Sequence, residues 1–328
     1  MIVTLTANPS LDRTVALPGP LLRGEVQRAV SVRQESGGKG VNVSRALVAS
    51  GLTTVAVLPG AEADPVLAGL RAGDVPFAAL PIGEPLRSNV ALTEPGGVTT
   101  KINEPGPVLS ADQQEALIGL LLDRSRGASW VVLAGSLPPG VPADFYATVT
   151  RRLRSLDHGN EAPLIAVDSS GEPLAAAISG DALGKPDLIK PNAEELVELA
   201  AAAGFATHKS AEELEADPEA AAVAASAVVR SGVGAVLATL GSKGAVLVTA
   251  DGAWLATHPP VTAVSTVGAG DSSLAGYLLA SGQGAAPADC LRQAVAHGAA
   301  AASLPGSTVP AVHQTTPDAV TITALRKD

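Results

Sequence analysis

The chain has 328 residues, 46% of them hydrophobic and 16% charged, with a formal net charge of −10. That is enough to bury a substantial core in one large α/β domain or two smaller ones, and the acidic balance argues against nucleic acid or an anionic membrane as partner. No uncharged apolar run reaches the ~18 residues of a membrane-spanning helix. The single cysteine, Cys290, cannot form an internal disulfide.

In chain order, the opening MIVTLTA reads as a strand and NPSLD as a polar turn. Nothing there resembles an export signal, so a reducing cytoplasm is the expected compartment. Asp12 closes that turn, where the carboxyl end of a parallel sheet would present it to a ligand crevice. A turn residue stabilised by Asn8-Pro9 reads equally well. Residues 13–35 show strand-like alternation and Pro/Gly turns, as do residues 86–103, and neither holds a crossover helix. They are expected to form a small antiparallel sheet projecting from the main one. SGGKGVNVSRAL (36–47) joins glycines to a helix start and offers N–H groups, the Lys39 cation and the Asn42 amide to a polar ligand, or simply turns the chain from strand to helix.

From there, apolar runs alternate with helical patterns. TTVAVLP, WVVLAG, LIAVDSS, DLIKPN and GAVLATLG read as strands, and segments such as ADQQEALIGLLLDRS as helices. Alternation of this kind implies parallel β-structure with helical crossovers and a sheet covered on both faces. Residues 200–231, rich in alanine, read as a solvent-facing helical region. Cys290 falls in a predicted helix, DCLRQAVAHGAAAAS. Residues 1–103 carry a net charge of +1 and residues 104–328 a net charge of −11. The first third is therefore the expected host for an anionic ligand, unless surface charge merely drifts along the chain.

The segment STVGAGDSSLAG (265–276) carries the most chemistry. Glycines before a helix let backbone N–H groups converge on an anion, and the helix N-terminus adds positive potential. Such a hole suits a transferring phosphoryl group, with Asp271 orienting the acceptor hydroxyl. The same helix dipole is expected to lower the Asp271 pKa. The alternative is a capping aspartate after a glycine-rich turn. Other chemistries are absent: there is no GxxxxGK[ST], and GAGDSS has Ser273 where a dinucleotide loop needs its third glycine. His158, His208, His258, His297 and His313 are isolated from one another, and neither HExxH, CxxC nor GxSxG occurs.

Taken together and in order, NPSLD, GGKGVN, LRSN, NEPGP, AGSLPPG, VDSSGE, IKPNAEEL, TLGSKGA and STVGAGDS resemble the motifs of the ribokinase-like phosphofructokinase B carbohydrate kinases. Within them the chain is most similar to the 1-phosphofructokinase and tagatose-6-phosphate kinase group. The resemblance implies one kinase domain over residues 1–328: a three-layer αβα sandwich around a mostly parallel sheet, with a β-sheet lid inserted at about 13–35 and 86–103. It implies ATP-dependent transfer to the 6-hydroxyl of D-fructose 1-phosphate, with tagatose 6-phosphate or fructose 6-phosphate as alternative acceptors. A sugar-phosphate-binding regulator without turnover is the non-enzyme alternative.

By the same resemblance Asp271 is the catalytic base, and Gly268, Ala269 and Gly270 form the hole. Asp12, Gly38 and Asn42 hold sugar hydroxyls, with Gly37 beside them. Asn192 and Glu195 organise Mg²⁺ and phosphate mostly through water, Lys190 lies near the ATP phosphates, and Thr239, Gly241 and Gly244 line the nucleotide pocket. Some members also hold K⁺ on backbone oxygens, here near Ser265, Val267 and residues 302–308, which leaves K⁺ open. Arg87, Lys39 and Lys101 are candidate cations for the substrate phosphate, although a lysine on an edge strand also serves simply to block sheet pairing. Some members carry glycine at the Lys39 position, and Ala134 stands where many carry serine. A homodimer through the lid is the expected assembly, with no nucleic acid or membrane as partner.

Overall fold

Alternation along the strands decides the layering. In β1 (Ile2–Thr6), Val3 and Leu5 enter one hydrophobic cluster and Ile2 enters another. The next four central strands repeat the split: Val131 and Leu133 oppose Trp130 and Val132, Ile165 and Val167 oppose Ala166, and Ile189 opposes Leu188, while Val236 opposes Leu237. Successive side chains on a strand point to opposite faces, so a strand apolar at every position must be covered on both.

A computed structural model describes residues 1–156 and 162–326; His158 lies outside them. The chain runs β1, β2 (Ser10–Ala16), β3 (Ser31–Gly37), α1 (Lys39–Ala49), β4 (Thr54–Pro59), α2 (Pro65–Ala72), β5 (Phe77–Leu80), β6 (Arg87–Thr93), β7 (Thr99–Asn103) and α3 (Ala111–Arg124). It continues β8 (Trp130–Ala134), α4 (Phe145–Arg154), β9 (Leu164–Asp168), α5 (Gly171–Ile178), β10 (Leu188–Ile189), α6 (Ala193–Ala202), α7 (Ala211–Ala216) and α8 (Pro218–Arg230). It closes with β11 (Ala235–Thr239), β12 (Ala245–Thr249), β13 (Ala253–Thr257), α9 (Ala269–Gly282), α10 (Pro287–Ala302) and β14 (Thr321–Leu325).

Among the described residues, ten strands form one sheet in the order β14-β13-β12-β11-β10-β9-β8-β1-β4-β5. The strands from β5 to β11 pair in parallel, and β12, β13 and β14 add an antiparallel edge. Helices α3 to α8 supply the core on one face, and α1, α9 and α10 on the other. This is the expected α/β sandwich. The expectation for residues 200–231 is corrected: in α8, residues Ala221, Ala222, Ala224, Ala225 and Val228 are fully buried, and the helix packs on β11 and β12. Small side chains let α8 lie close to the sheet, so alanine richness here marks tight packing and not a solvent face.

Four strands form a second sheet, in the order β3-β2-β6-β7. Its expected antiparallel pairing is corrected at the centre, where β2 and β6 run parallel with Asp12 beside Asn89. Chain connectivity explains this, because β2 and β6 both leave the main sheet in the same direction. The small sheet is amphipathic. By register Asp12, Thr14, Asn89, Arg33 and Lys101 share the face that lines a crevice over the main sheet, whereas Val15, Val32, Val90, Leu92 and Ile102, with Arg13 and Gln34 among them, alternate onto the other face, Arg13 and Val90 still bordering the crevice. Val32 and Ile102 are half exposed there.

Candidate active site

The parallel strands converge with their carboxyl ends on one crevice, the position where open α/β sheets bind ligands. β9 ends in Asp168 between the ends of β8 and β10, and the carboxylate is fully buried. A lone buried carboxylate would cost several kcal/mol. Here Lys39 Nζ donates to Asp168 Oδ1 at 2.6 Å, and Lys190 Nζ lies 3.1 Å from Oδ2. The second contact is ionic and not a well-aligned hydrogen bond, so Oδ2 keeps an unsatisfied lone pair. Burial pushes the Asp168 carboxyl up, but Lys190 and Lys39 outweigh it and hold the pKa below the usual aspartate value. For Lys39, burial opposes the charge, yet Asp168, Glu195 and Asp271 hold the ammonium above the ordinary lysine value.

Asp271 stands in the first turn of α9, whose N-cap Gly268 adopts the left-handed conformation at φ 76° that glycine tolerates. A Cβ on Gly270 would lie 3.2 Å from Lys190 Nζ, so that ammonium sits directly at the helix N-terminus. Backbone N–H groups, helix dipole and lysine thus point one positive potential into the crevice. Asn42, on α1, donates Nδ2 to Asp271 Oδ2 at 2.8 Å. The expectation of a lowered Asp271 pKa is corrected. Burial dominates and the nearby Asp168 charge adds to it, so the carboxyl is pushed up to about 6 despite Lys39, Asn42 and Lys190. The dipole loses because the residue is 8% exposed and faces a second carboxylate.

The small sheet contributes Asp12, which accepts from Ser10 Oγ at 2.7 Å and from Asn89 Nδ2 at 3.2 Å. Burial raises its pKa against those hydrogen bonds. Glycine is required at positions 37 and 38 for different reasons. A side chain at Gly37 would strike the Asp12 carboxylate, and Gly38 caps α1 at φ 110° against Thr6 and Pro9. The crevice of about 700 Å³ is lined by Asp12, Asn89 and Lys101 on one wall and by residues 263–267 and 305–307 on the other. Ser265 and Val267 are thus brought against the 302–308 segment, with Ser265 N–H donating to Ala302 O at 3.2 Å.

Asn192 and Glu195 form a capping box at the start of α6: Asn192 Oδ1 accepts from Glu195 N–H and Glu195 Oε2 from Asn192 N–H, each at 2.8 Å. Glu195 Oε1 remains on the crevice side, 3.9 Å from Lys39 Nζ. Thr239 bridges to Asn192, and Gly241 and Gly244 shape the turn after β11 with φ 54° and 102°. Among the described residues no three His, Cys, Asp or Glu side chains gather as a metal cage. The unsatisfied Asp168 Oδ2 and the outer oxygen of Glu195 nevertheless fit a hydrated Mg²⁺, which keeps most of its water and takes one or two carboxylates.

Two of the candidate cations are placed differently from their expected use. Lys39 is committed to Asp168 at the end of β9 and is not among the residues that line the crevice with Lys101. Arg87 donates Nε to Asn8 O at 3.2 Å and Nη1 to Glu104 O at 3.0 Å, which ties the base of the small sheet to the NPSLD turn. Sequence reasoning missed Arg33, which lines the crevice two strands from Asn89's strand edge on the same face as Lys101. Its alternation with Val32 was the available signal. It also missed Asp168, although VDSS at a strand end placed an acid where ligands bind.

The same architecture is seen in proteins of known type. Residues 6–314 match the model of the pfkB family of carbohydrate kinases. The chain belongs to this family. It is 32% identical over 309 residues to the ATP-dependent 6-phosphofructokinase isozyme 2 of Mycobacterium tuberculosis, covering 93% of this chain and 85% of the relative. It is 33% identical over 299 residues to the 1-phosphofructokinase of Rhodobacter capsulatus, covering 90% and 88%. The crystal structure of Escherichia coli phosphofructokinase-2 in complex with substrates and products superposes with a TM-score of 0.82 at 30% identity, covering 95% and 96%. This pfkB-family chain is therefore an ATP-dependent sugar-phosphate kinase with the ribokinase-like fold. Among the described residues no helix is long and apolar enough to cross a membrane.

The electrostatics of this kinase site make three predictions. Asp168→Asn removes the counter-charge of Lys39 and of the buried Lys190, and is expected to cost about 3–5 kcal/mol in urea unfolding; a loss under about 1 kcal/mol would contradict the pairing. A candidate base at Asp271 must be ionised to receive the proton of an alcohol, so kcat is expected to fall roughly tenfold per pH unit below about pH 6. Because the folded pKa is raised, the stabilising protonated form is present below the unfolded value and lost as pH rises through about 6. Asp271→Asn should accordingly melt higher than the parent at pH 8, with the difference vanishing toward pH 4.

Proposed function

We propose that the kinase transfers the γ-phosphoryl group of Mg·ATP to the 6-hydroxyl of D-fructose 1-phosphate, giving fructose 1,6-bisphosphate. One observation carries the reading: the Asp271 carboxylate, anchored by Asn42 through one oxygen, stands beside the Gly268–Gly270 helix start and Lys190, directly after residues 265–267, which line a crevice whose other wall offers Lys101 and Arg33. A substrate phosphorylated at one end would set its phosphate on that wall and its acceptor hydroxyl at Asp271. Asp12, with Gly38 and Asn42 nearby and Gly37 beneath it, orients the sugar hydroxyls. Asp271 takes the hydrogen bond of the 6-hydroxyl and receives its proton as the oxygen–phosphorus bond forms; the bond to ADP breaks in line. Gly268, Ala269 and Gly270 N–H groups and Lys190 stabilise the charge on the moving phosphoryl group. When bound, Mg²⁺ would be held near Asp168 and Glu195 with Asn192 fixing that helix start, and would neutralise phosphate charge. Thr239, Gly241 and Gly244 border the nucleotide, and carbonyls at Ser265 and Val267 are suited to K⁺. The small sheet acts as a lid that excludes water from the transfer.

The relatives named as 1- and 6-phosphofructokinases are about equally similar, and a ketofuranose presents comparable CH₂–O groups at both ends. Initial rates with fructose 1-phosphate, fructose 6-phosphate and tagatose 6-phosphate, followed by ADP release, separate the readings. The highest kcat/KM is expected for fructose 1-phosphate, and Asp271→Asn is expected to lower its kcat by about 10²–10⁴-fold. A faster rate on either 6-phosphate reassigns the acceptor, and tight sugar-phosphate binding without any ADP would mark a regulator.

We infer further that a second copy of the chain covers the outward apolar face of the lid, where Val15, Val32, Val90, Leu92 and Ile102 are otherwise left to water. Light scattering is expected to give about twice the 32.5 kDa chain mass, and Ile102→Asp to reduce it. A monomer at working concentration would remove the inference.

A further inference from the structure

Asn42 can hold Asp271 in only one of its two amide orientations. With Nδ2 toward Asp271, the amide donates to a carboxylate; turned by 180° it would oppose oxygen to oxygen. That preference holds while Asp271 is ionised. Once Asp271 has received the acceptor proton, its own O–H can donate to an amide oxygen, and the turned orientation is no longer opposed from that side. A second constraint lies on the far side of the amide. Arg45, one turn along α1, donates Nη1 to Asn42 Oδ1 at 3.2 Å. A turned amide would bring NH₂ against the guanidinium, donor against donor.

Arg45 is itself held on every side. The two hydrogens of Nη1 are shared among Asn42 Oδ1, Ser36 O and Ser307 O, each at 3.2 Å, and Nη2 donates to Glu35 Oε1 at 3.3 Å. Glu35 Oε2 in turn accepts from Ser307 Oγ at 2.7 Å and Ser307 N–H at 3.2 Å. The side chain is 19% exposed. A partly shielded network of several charge-assisted bonds holds its geometry better than an isolated surface pair, which contributes little. This one joins the end of β3, helix α1 and the loop at residue 307, which lines the crevice.

We propose that Arg45 is a positioning residue for phosphoryl transfer: with Glu35, it locks the Asn42 amide in the orientation that donates to Asp271, leaving the other carboxylate oxygen for the acceptor hydroxyl throughout the cycle. The proposal rests on the reading of Asp271 given above. It assigns Arg45 a larger effect on turnover than on substrate affinity, because its bonds to Asn42 act on Asp271, whereas it reaches the sugar-binding wall only through the Ser307 carbonyl and its charge near Asp12.

The test is a double-mutant cycle on the full chain, using Arg45→Met, Asn42→Ala and the double variant, with kcat and KM for ATP and the best sugar phosphate. Arg45→Met is expected to lower kcat about 10–100-fold, with each KM within about threefold of the parent. In the Asn42→Ala background the same change is expected to cost less than about twofold, since the amide it acts through is gone. Losses that multiply in the double variant, or a raised KM with kcat intact, would overturn the proposal. Should Arg45→Met not fold by thermal unfolding, Glu35→Gln replaces it in the cycle, with an expected loss of about 3–10-fold in kcat that likewise disappears without Asn42; a loss that persists there overturns it. If Asp271→Asn retains normal turnover, the reading of the site has failed. If Asp271→Asn is inactive while the cycle is additive, only the role of Arg45 has.

Discussion

The site depends on a carboxylate taken fully out of water between two ammonium groups. Asp168 at the end of β9 could not remain ionised there without Lys39 and Lys190, and neither lysine would hold its position without Asp168. The pairing draws together the start of α1, the centre of the main sheet and the strand leading to α6. It also sets the field at Asp271, where the Asp168 charge adds to burial and keeps that carboxyl near neutrality. An acid in the first turn of a helix would otherwise be a weak acceptor of protons.

Glycine placement follows from the same crowding. At Gly37, Gly38 and Gly270 the backbone passes so close to Asp12, Thr6 and Lys190 that a side chain would displace a charged or core group. The close pair α9 and α10 obeys a similar rule, since a Cβ on Gly276 would strike Gln293 O and the buried His297 ring. Helix α9 also packs directly on α1, which is what lets Asn42 and Asp271 meet across the core at 2.8 Å. A phosphoryl-transfer site gains from such packing, because stabilisation comes from donors already aimed at the developing charge.

The small sheet reverses the usual arrangement of an amphipathic sheet, with its polar face toward the main body and its apolar face outward. A crevice for a charged sugar explains the first, and a covering partner is the natural complement of the second. Arg87 and Asn8 hold the base of this sheet to the main one, and Glu35 and Ser36 on β3 tie it to Ser307 and to Val66 of α2.

Much of this was legible from the residues alone. Strands that are apolar at every position announce a sheet covered on both faces, and the glycines of STVGAGDS announce a helix start, because both patterns are local consequences of backbone geometry. The ordered motifs carried the family. What the linear order could not show was which distant groups meet. Asp168 reads as one strand-end acid among several until Lys39 and Lys190 close on it; Arg45 reads as a solvated helix residue until Glu35, Ser36 and Ser307 surround it. The alanines of α8 look solvent-facing until β11 and β12 are laid beneath them, and the Asp271 pKa changes sign only when burial is known. Propensity and spacing act over a few residues, whereas desolvation and ion pairing act across contacts that only the tertiary structure creates.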